Sequence, residues 1–292
     1  MKIGFLGFGE VSSILSEGLL DNGVNVFTCL QGRSSTTKNK ALEMGVTICP
    51  SYRKLAEKSE ILISAVTPST AVEVARDIGK YSRGIYVDIN NISPATVREA
   101  LGQVENKKTV DAAIIGSVKR NGSNVQIIAC GDSAQDFAFL NDYGLNIKIM
   151  GTEIGNCSQI KMLRSSYTKG VSALLWETIS AAYKMGIDEE VMEIIGETEG
   201  QQFKNSVNSR LISSFKHAKR RYEEMDEVKN LLSDEIDPIM ADAIENTFEI
   251  ILDQNKDFNN NNNNNNNKDF KDAIEFKSDL KSYKELFKHL YD

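Results

Sequence analysis

Two histidines, His217 and His289, are all that 292 residues supply, so a mechanism built on a histidine pair or a histidine-rich metal site has no material. No excess of basic residues exists either. The formal net charge is −7 with both signs interspersed, which argues against a stripe for nucleic acid or an anionic membrane. No run of 18 apolar residues occurs, so no membrane span is expected. Lys2 ahead of an apolar run imitates a signal peptide, but Glu10 interrupts it and no A-x-A-like site follows, which points to a cytoplasmic protein. The four cysteines, Cys29, Cys49, Cys130 and Cys157, lack metal or redox spacing. They read as reduced thiols in or near a core, with no metal expected.

What is present begins at Gly7-Phe8-Gly9-Glu10-Val11-Ser12. Lys2 to Leu6 reads as an apolar strand, and Val11, Ile14, Leu15, Leu19 and Leu20 repeat at helical spacing. A glycine pair between strand and helix lets the chain turn sharply and lets backbone approach a pyrophosphate at the helix N-terminus. Ser12, at the third fingerprint position, is small enough for close helix–strand packing. Further strands are expected at Val24–Cys29, Val46–Ile48, Ile61–Val66, Ile85–Ile89, Val110–Ile114, Val125–Cys130 and Ile147–Ile149. Helices separate the early ones, at about 11–21, 36–44, 51–58, 69–80 and 94–104, which implies βαβ units and a mostly parallel sheet.

The remainder changes character. One long helix is expected from Glu153 to Lys184, with Gly170 its soft point, then helices at about 188–196, 199–214, 216–234, 237–253 and 270–290. The chain therefore divides into a nucleotide domain, 1–152, and an all-helical domain, 153–292. Nine asparagines, Asn259–Asn267, predict a disordered loop at about 255–268, because they have nothing to bury. Trp176, Phe203, Tyr222 and Phe248 read as core or interface.

The end of the second strand bears on cofactor choice. An acidic residue there would accept hydrogen bonds from the adenosine ribose and repel a 2′-phosphate. No carboxylate stands between Asp21 and Glu43; instead come Gly32, Arg33, Ser34, Ser35 and Lys38. A guanidinium with flanking hydroxyls suits a phosphate, so NADP is favoured over an ordinary solvated loop.

At this point "GFLGFGEVSS", "GRSS", "SAVTPSTAVEVA", "VDINNISP", "VDAAIIGS" and "IKMLRSSYTKG" together resemble the 6-phosphogluconate dehydrogenase-like and β-hydroxyacid dehydrogenase superfamily. "KMLRSSYTKG" and "HAKRRYEEM" are most similar to a branch whose helical C-terminal domain has no known function and which is described as NAD(P)-dependent oxidoreductases. The resemblance covers nearly all of the chain except the asparagine tract. It implies an α/β Rossmann-like domain followed by an all-α domain, and a homodimer. It also implies cofactor contacts at Gly7, Phe8, Gly9, Glu10 and Val11, at Arg33 and Ser34, at the loop Val66-Thr67-Pro68, and at Asn90. Asn91, Gly116, Ser117 and Lys169 would meet the substrate. Ser93 and Pro94 also make a good helix start in their own right.

Two departures stand out. The superfamily's Ser-Gly-Gly, which holds a substrate carboxylate, is here Ile115-Gly116-Ser117. The asparagine four residues after the superfamily's catalytic lysine is here Ser165. That lysine falls at Lys161, on a polar helical stripe with Ser165, Thr168 or Lys169, and Ser172, while Met162, Leu163, Val171, Leu174 and Leu175 lie on other faces. A lysine partly desolvated beside a cleft could exchange a proton with a substrate hydroxyl, with Ser165 assisting. The segment Lys216–Arg221 reads as a salt-bridged surface or dimer contact, with Arg220 as an alternative anion ligand. The expected activity is NADP-dependent hydride transfer to or from a small polar hydroxy- or oxo-substrate. Imine reduction, which needs no basic lysine, and a silent NADP-binding sensor or assembly subunit are the alternatives.

Overall fold

The computed structural model describes residues 1–200, 202–263 and 280–292. They fall into two compact units, Met1–Met162 and Leu163–Asp292. Among them no helix is long and apolar enough to cross a membrane.

The first unit is built on one sheet of eight strands: β1 (Lys2–Leu6), β2 (Asn25–Thr28), β3 (Thr47–Ile48), β4 (Ile61–Ser64), β5 (Ile85–Asp88), β6 (Thr109–Ile115), β7 (Gln126–Cys130) and β8 (Asn146–Ile149). Their order is β3-β2-β1-β4-β5-β6-β7-β8. Neighbours from β3 to β6 are parallel; β7 runs antiparallel to β6, and β8 parallel to β7. Central strands are covered on both faces, as a parallel sheet requires, so they read as unbroken apolar runs. Ile61 and Ile63 of β4 point into one core with Leu15 and Leu19, while Leu62 points into the other with Val97 and Leu101.

The helices of this unit are α1 (Glu10–Asp21), α2 (Ser35–Glu43), α3 (Tyr52–Lys58), α4 (Ala71–Ile78), α5 (Pro94–Gly102), α6 (Val118–Asn121) and α7 (Ala134–Ala138). Serine caps explain three starts. Ser34, Ser51 and Ser93 accept the amides of Thr37, Lys54 and Thr96. Each such cap is worth about 1 kcal/mol.

The helix α8 (Asn156–Met185) leads from the first unit into the second. The second unit continues with α9 (Asp188–Glu199), α10 (Phe203–Lys216), α11 (Ala218–Ser233), α12 (Ile239–Asn263) and α13 (Tyr283–Tyr291). Its core stacks Trp176 on Phe215, with ring centroids 6.4 Å apart, and sets Phe287 edge-on to Trp176. Phe248 is fully buried there, whereas Phe203 and Tyr222 are half-buried.

One expectation changes. α12 runs on through Asn263, where the sequence predicts a loop from about 255, because extending an established helix adds one backbone hydrogen bond for each residue fixed. The last four asparagines, and residues 270–279 of the final predicted helix, lie outside the described residues.

Candidate active site

The order β3-β2-β1-β4-β5-β6 reverses direction between β1 and β4, and the crevice beyond the carboxyl ends of strands at such a reversal is where ligands settle. Gly7 closes that end of β1. Its φ is +83°, and a Cβ there would lie 2.4 Å from the Ala65 carbonyl oxygen, so β1 and the end of β4 pack too closely for any side chain. Gly9, by contrast, has nothing within 4 Å of the space a Cβ would fill. It starts α1 without a side-chain cap, unlike the serine-capped α2, α3 and α5. The first amide of α1 to reach a helical acceptor is Ser13, bonded to the Gly9 carbonyl at 3.0 Å. Those before it are a ready anion site at the positive end of the helix. Glu10 brings an opposing charge to this turn, offset by its ion pair with Lys119 at 2.9 Å. Phe8 is buried in the core, and Val11 is half-buried.

The loop after β4 is held from β5. Asn90 accepts the Val66 amide at 2.7 Å, while its Nδ2 donates to Asp88 Oδ2 at 2.8 Å and to Ser64 Oγ at 3.1 Å. Asp88 Oδ1 accepts the Asn90 amide at 2.9 Å. Asn90, expected at the cofactor, is buried with both ends of its amide engaged. It positions Val66, leaving Thr67 and Pro68 exposed beyond it. Arg33 is exposed at the end of β2, between Gly32 and the Ser34 cap of α2. A guanidinium beside a helix N-terminus is a second place for an anion.

A second buried carboxylate sits beside the first: Asp111 of β6 is the register partner of Asp88. Its Oδ2 accepts the amides of Gly155 at 2.9 Å and Ser158 at 3.3 Å, and its Oδ1 accepts Ser158 Oγ at 3.0 Å. Asp111 thereby anchors the N-terminus of α8, the helix that carries Lys161. Lys161 is half-buried. Burial pushes the Asp88 carboxyl up to about 6; hydrogen bonds from Asn90 hold it down, Asp111 pushes it further up, and the charge of Lys161 opposes the rise. Asp88 ends β5 at the carboxyl edge of the sheet, the edge that also carries Gly7 and Val66.

Neither aspartate was singled out from sequence. The signal was there: "VDINN" and "VDAAI" each set a carboxylate inside an apolar strand, which burial makes costly unless it is well bonded. Cys130 and Cys157, which lack metal or redox spacing in the sequence, meet at the same anchor; their sulfurs and an Asp111 oxygen lie within 4.8 Å of one another. Hydrogen bonding to Cys130 and burial push the Cys157 thiol up.

The other expected residues fall in one unit or the other. Gly116 and Ser117 are exposed at the end of β6, and Asn91 is exposed after β5. Ser165 and Lys169 face the interior of the second unit, where Lys169 Nζ donates to Ser165 Oγ at 2.5 Å and pairs with Glu224 at 2.9 Å. The polar stripe is the buried side there, while Leu163 and Leu174 are exposed.

The reversal in strand order, the uncapped glycine turn and the helical second unit define a dinucleotide-binding α/β protein with a helical domain. Residues 2–92 match the family model described as NADP oxidoreductase, coenzyme F420-dependent, and residues 182–251 match a domain of unknown function, DUF1932. An uncharacterized 28.5 kDa protein in the 7S RNA 5′ region of Methanothermus fervidus is 46% identical over 252 residues, covering 86% of this chain and 99% of that one. A solved conserved protein of unknown function, noted for structural similarity with 3-hydroxyacid dehydrogenases, is 51% identical, with TM-score 0.78, covering 87% of this chain and 97% of that one. The 3-hydroxyisobutyrate dehydrogenase of Mycobacterium tuberculosis shares the fold at 16% identity, with TM-score 0.71 and coverage of 85% and 92%. The chain belongs to the 6-phosphogluconate dehydrogenase-like, β-hydroxyacid dehydrogenase superfamily, in the branch with the DUF1932 domain.

Proposed function

We propose that the protein is an NADP-dependent oxidoreductase acting on a small polar hydroxy- or oxo-substrate. The observation that carries this reading is the uncapped start of α1 at the reversal between β1 and β4, with open space over Gly9. The turn Gly7–Val11 would receive the pyrophosphate. Arg33, with the Ser34 hydroxyl and the N-terminus of α2, would hold the 2′-phosphate, and Val66, Thr67 and Pro68 would border the nicotinamide side. When bound, the nicotinamide supplies or accepts the hydride.

The chain supplies position and a proton route. Lys161 Nζ would give a proton to, or take one from, the substrate oxygen. Asp111 fixes the lysine by holding the start of α8, and Asp88 balances its charge. Asn91, Gly116 and Ser117, all exposed near strand ends of the first unit, are the proposed substrate contacts there; Ser165 and Lys169 are proposed from the helix beyond Lys161. Exposed Leu163, Tyr167, Leu174 and Ile194 support a homodimer, for which sedimentation at the mass of one 32.4 kDa chain would be the wrong result.

A metabolite panel read by NADPH absorbance identifies the substrate, and Lys161→Met then tests the mechanism. Turnover should fall by about 10²–10⁴-fold, the usual contribution of a positioned acid or base, with NADPH affinity unchanged. Undiminished turnover in Lys161→Met would remove the lysine from the mechanism.

A further inference from the structure

The second unit carries an open pocket of about 270 Å³ whose wall holds four cationic side chains, Lys169, Arg210, Arg220 and Arg221, and one carboxylate, Glu224. Serine and threonine hydroxyls make up the rest. Glu224 serves two of the cations, with Oε2 at 2.9 Å from Lys169 Nζ and Oε1 at 3.7 Å from Arg220 Nε. The other two are held by neutral groups. Arg210 donates to the Thr168 carbonyl at 3.1 Å and to Ser172 Oγ at 3.3 Å. Arg221 donates to Ser214 Oγ at 2.7 Å and Ser213 Oγ at 2.9 Å.

This wall therefore holds three more positive than negative charges in a chain whose net charge is −7. Lys169 is only 5% exposed. Burial, reinforced by the neighbouring Arg220, lowers Arg221 to about 10. Arg210 and Arg221 are half-buried and held by neutral acceptors, and like charges gathered this way repel one another, a repulsion that an incoming anion relieves. A monoanionic carboxylate would leave most of the excess. A phosphate dianion matches it better, since guanidinium forks take two of its oxygens and hydroxyls donate to the third. The pocket also has room for more than the anion.

We propose that this pocket binds the phosphate group of a small phosphorylated metabolite. The site lies apart in sequence from the cofactor contacts proposed for the first unit, but it includes Ser165 and Lys169, so it deepens the proposed substrate contacts of the second unit and rests on that reading. Its test is calorimetric titration of the full chain with glycerol 3-phosphate and with inorganic phosphate, with and without saturating NADPH. Both probes should bind, glycerol 3-phosphate more tightly, and NADPH should not compete. Arg220→Gln, at a side chain two-thirds exposed, should keep the melting temperature and weaken glycerol 3-phosphate about tenfold, as should Arg210→Lys, which keeps charge but loses the fork. Unchanged binding in both variants would overturn the proposal, as would failure of both probes to bind the wild type. Displacement of phosphate by NADPH would place it in the cofactor site instead, and equal affinity for the two probes would reduce the site to one for free phosphate; either result contradicts the proposal. Because the titration needs no turnover, its failure leaves the oxidoreductase reading standing, and loss of NADPH binding alone leaves this one.

Discussion

Gly7 and Gly9 stand two residues apart and make opposite demands on a replacement. At Gly7 any Cβ meets the Ala65 carbonyl, and a left-handed φ adds strain of about 1–2 kcal/mol for an ordinary residue. Gly7→Ala should therefore lower the melting temperature. At Gly9 the backbone is ordinary, with φ −97°, and the added methyl enters open space. Gly9→Ala should keep the melting temperature and weaken NADPH binding at least about tenfold, a loss of roughly 1.4 kcal/mol, because the methyl occupies the approach to the α1 amides. Intact NADPH binding in Gly9→Ala would make the turn purely structural. The sequence shows both glycines and their spacing; which is confined and which faces open space depends on Ala65, a neighbour 58 residues after Gly7. Asn90 teaches the same thing. Its position is legible after a strand, but the Asp88 and Ser64 contacts that bury its amide lie across two strands.

Among the elements, β5 and β6 share a division of labour. Each buries one aspartate at the carboxyl edge of the sheet, and each aspartate holds a different segment. Asp88 works through Asn90 on the Val66 loop, and Asp111 works directly on α8. Asp111→Asn keeps the shape but replaces a charged acceptor with a neutral amide beneath two backbone donors. Hydrogen bonds to a charged group are worth about 1.5–3 kcal/mol, so a loss of that order in unfolding free energy is expected in chemical denaturation. Turnover should fall because Lys161 loses its anchor, while NADPH affinity stays constant. If NADPH affinity fell as much as turnover, Asp111 would be supporting the whole sheet edge rather than one helix. Strands were the most legible elements, since β4 and β5 are buried throughout and read as apolar runs. The short helices α6 and α7 were not legible, having too few residues for a helical period to show. The asparagine tract misled in the other direction: its composition opposes helix, but α12 is already nucleated when it reaches Asn259.

For the whole molecule, the change from alternating strands and helices to helices alone was visible in periodicity, because each kind of layer stamps its own repeat on the chain. Charge placement was not. The segment Lys216–Arg221 does form surface pairs, Lys219 with Glu223 and Arg220 with Glu224, but Arg221 turns inward to Ser213 and Ser214 and lies over the Phe248 ring. Adjacent residues on a helix point in different directions, so a linear run of like charge divides between surface and interior. The central claim, that the first unit holds NADP(H), depends on the uncapped α1 and on Arg33 at the end of β2. Calorimetric titration of NADPH and NADH into the wild type and Arg33→Ala tests it most directly. The wild type should prefer NADPH, and the variant should lose about ten- to hundredfold in NADPH affinity, the equivalent of a charge-assisted contact of roughly 1.5–3 kcal/mol, while NADH affinity stays unchanged. Equal weakening of both cofactors, or no preference in the wild type, would contradict the account.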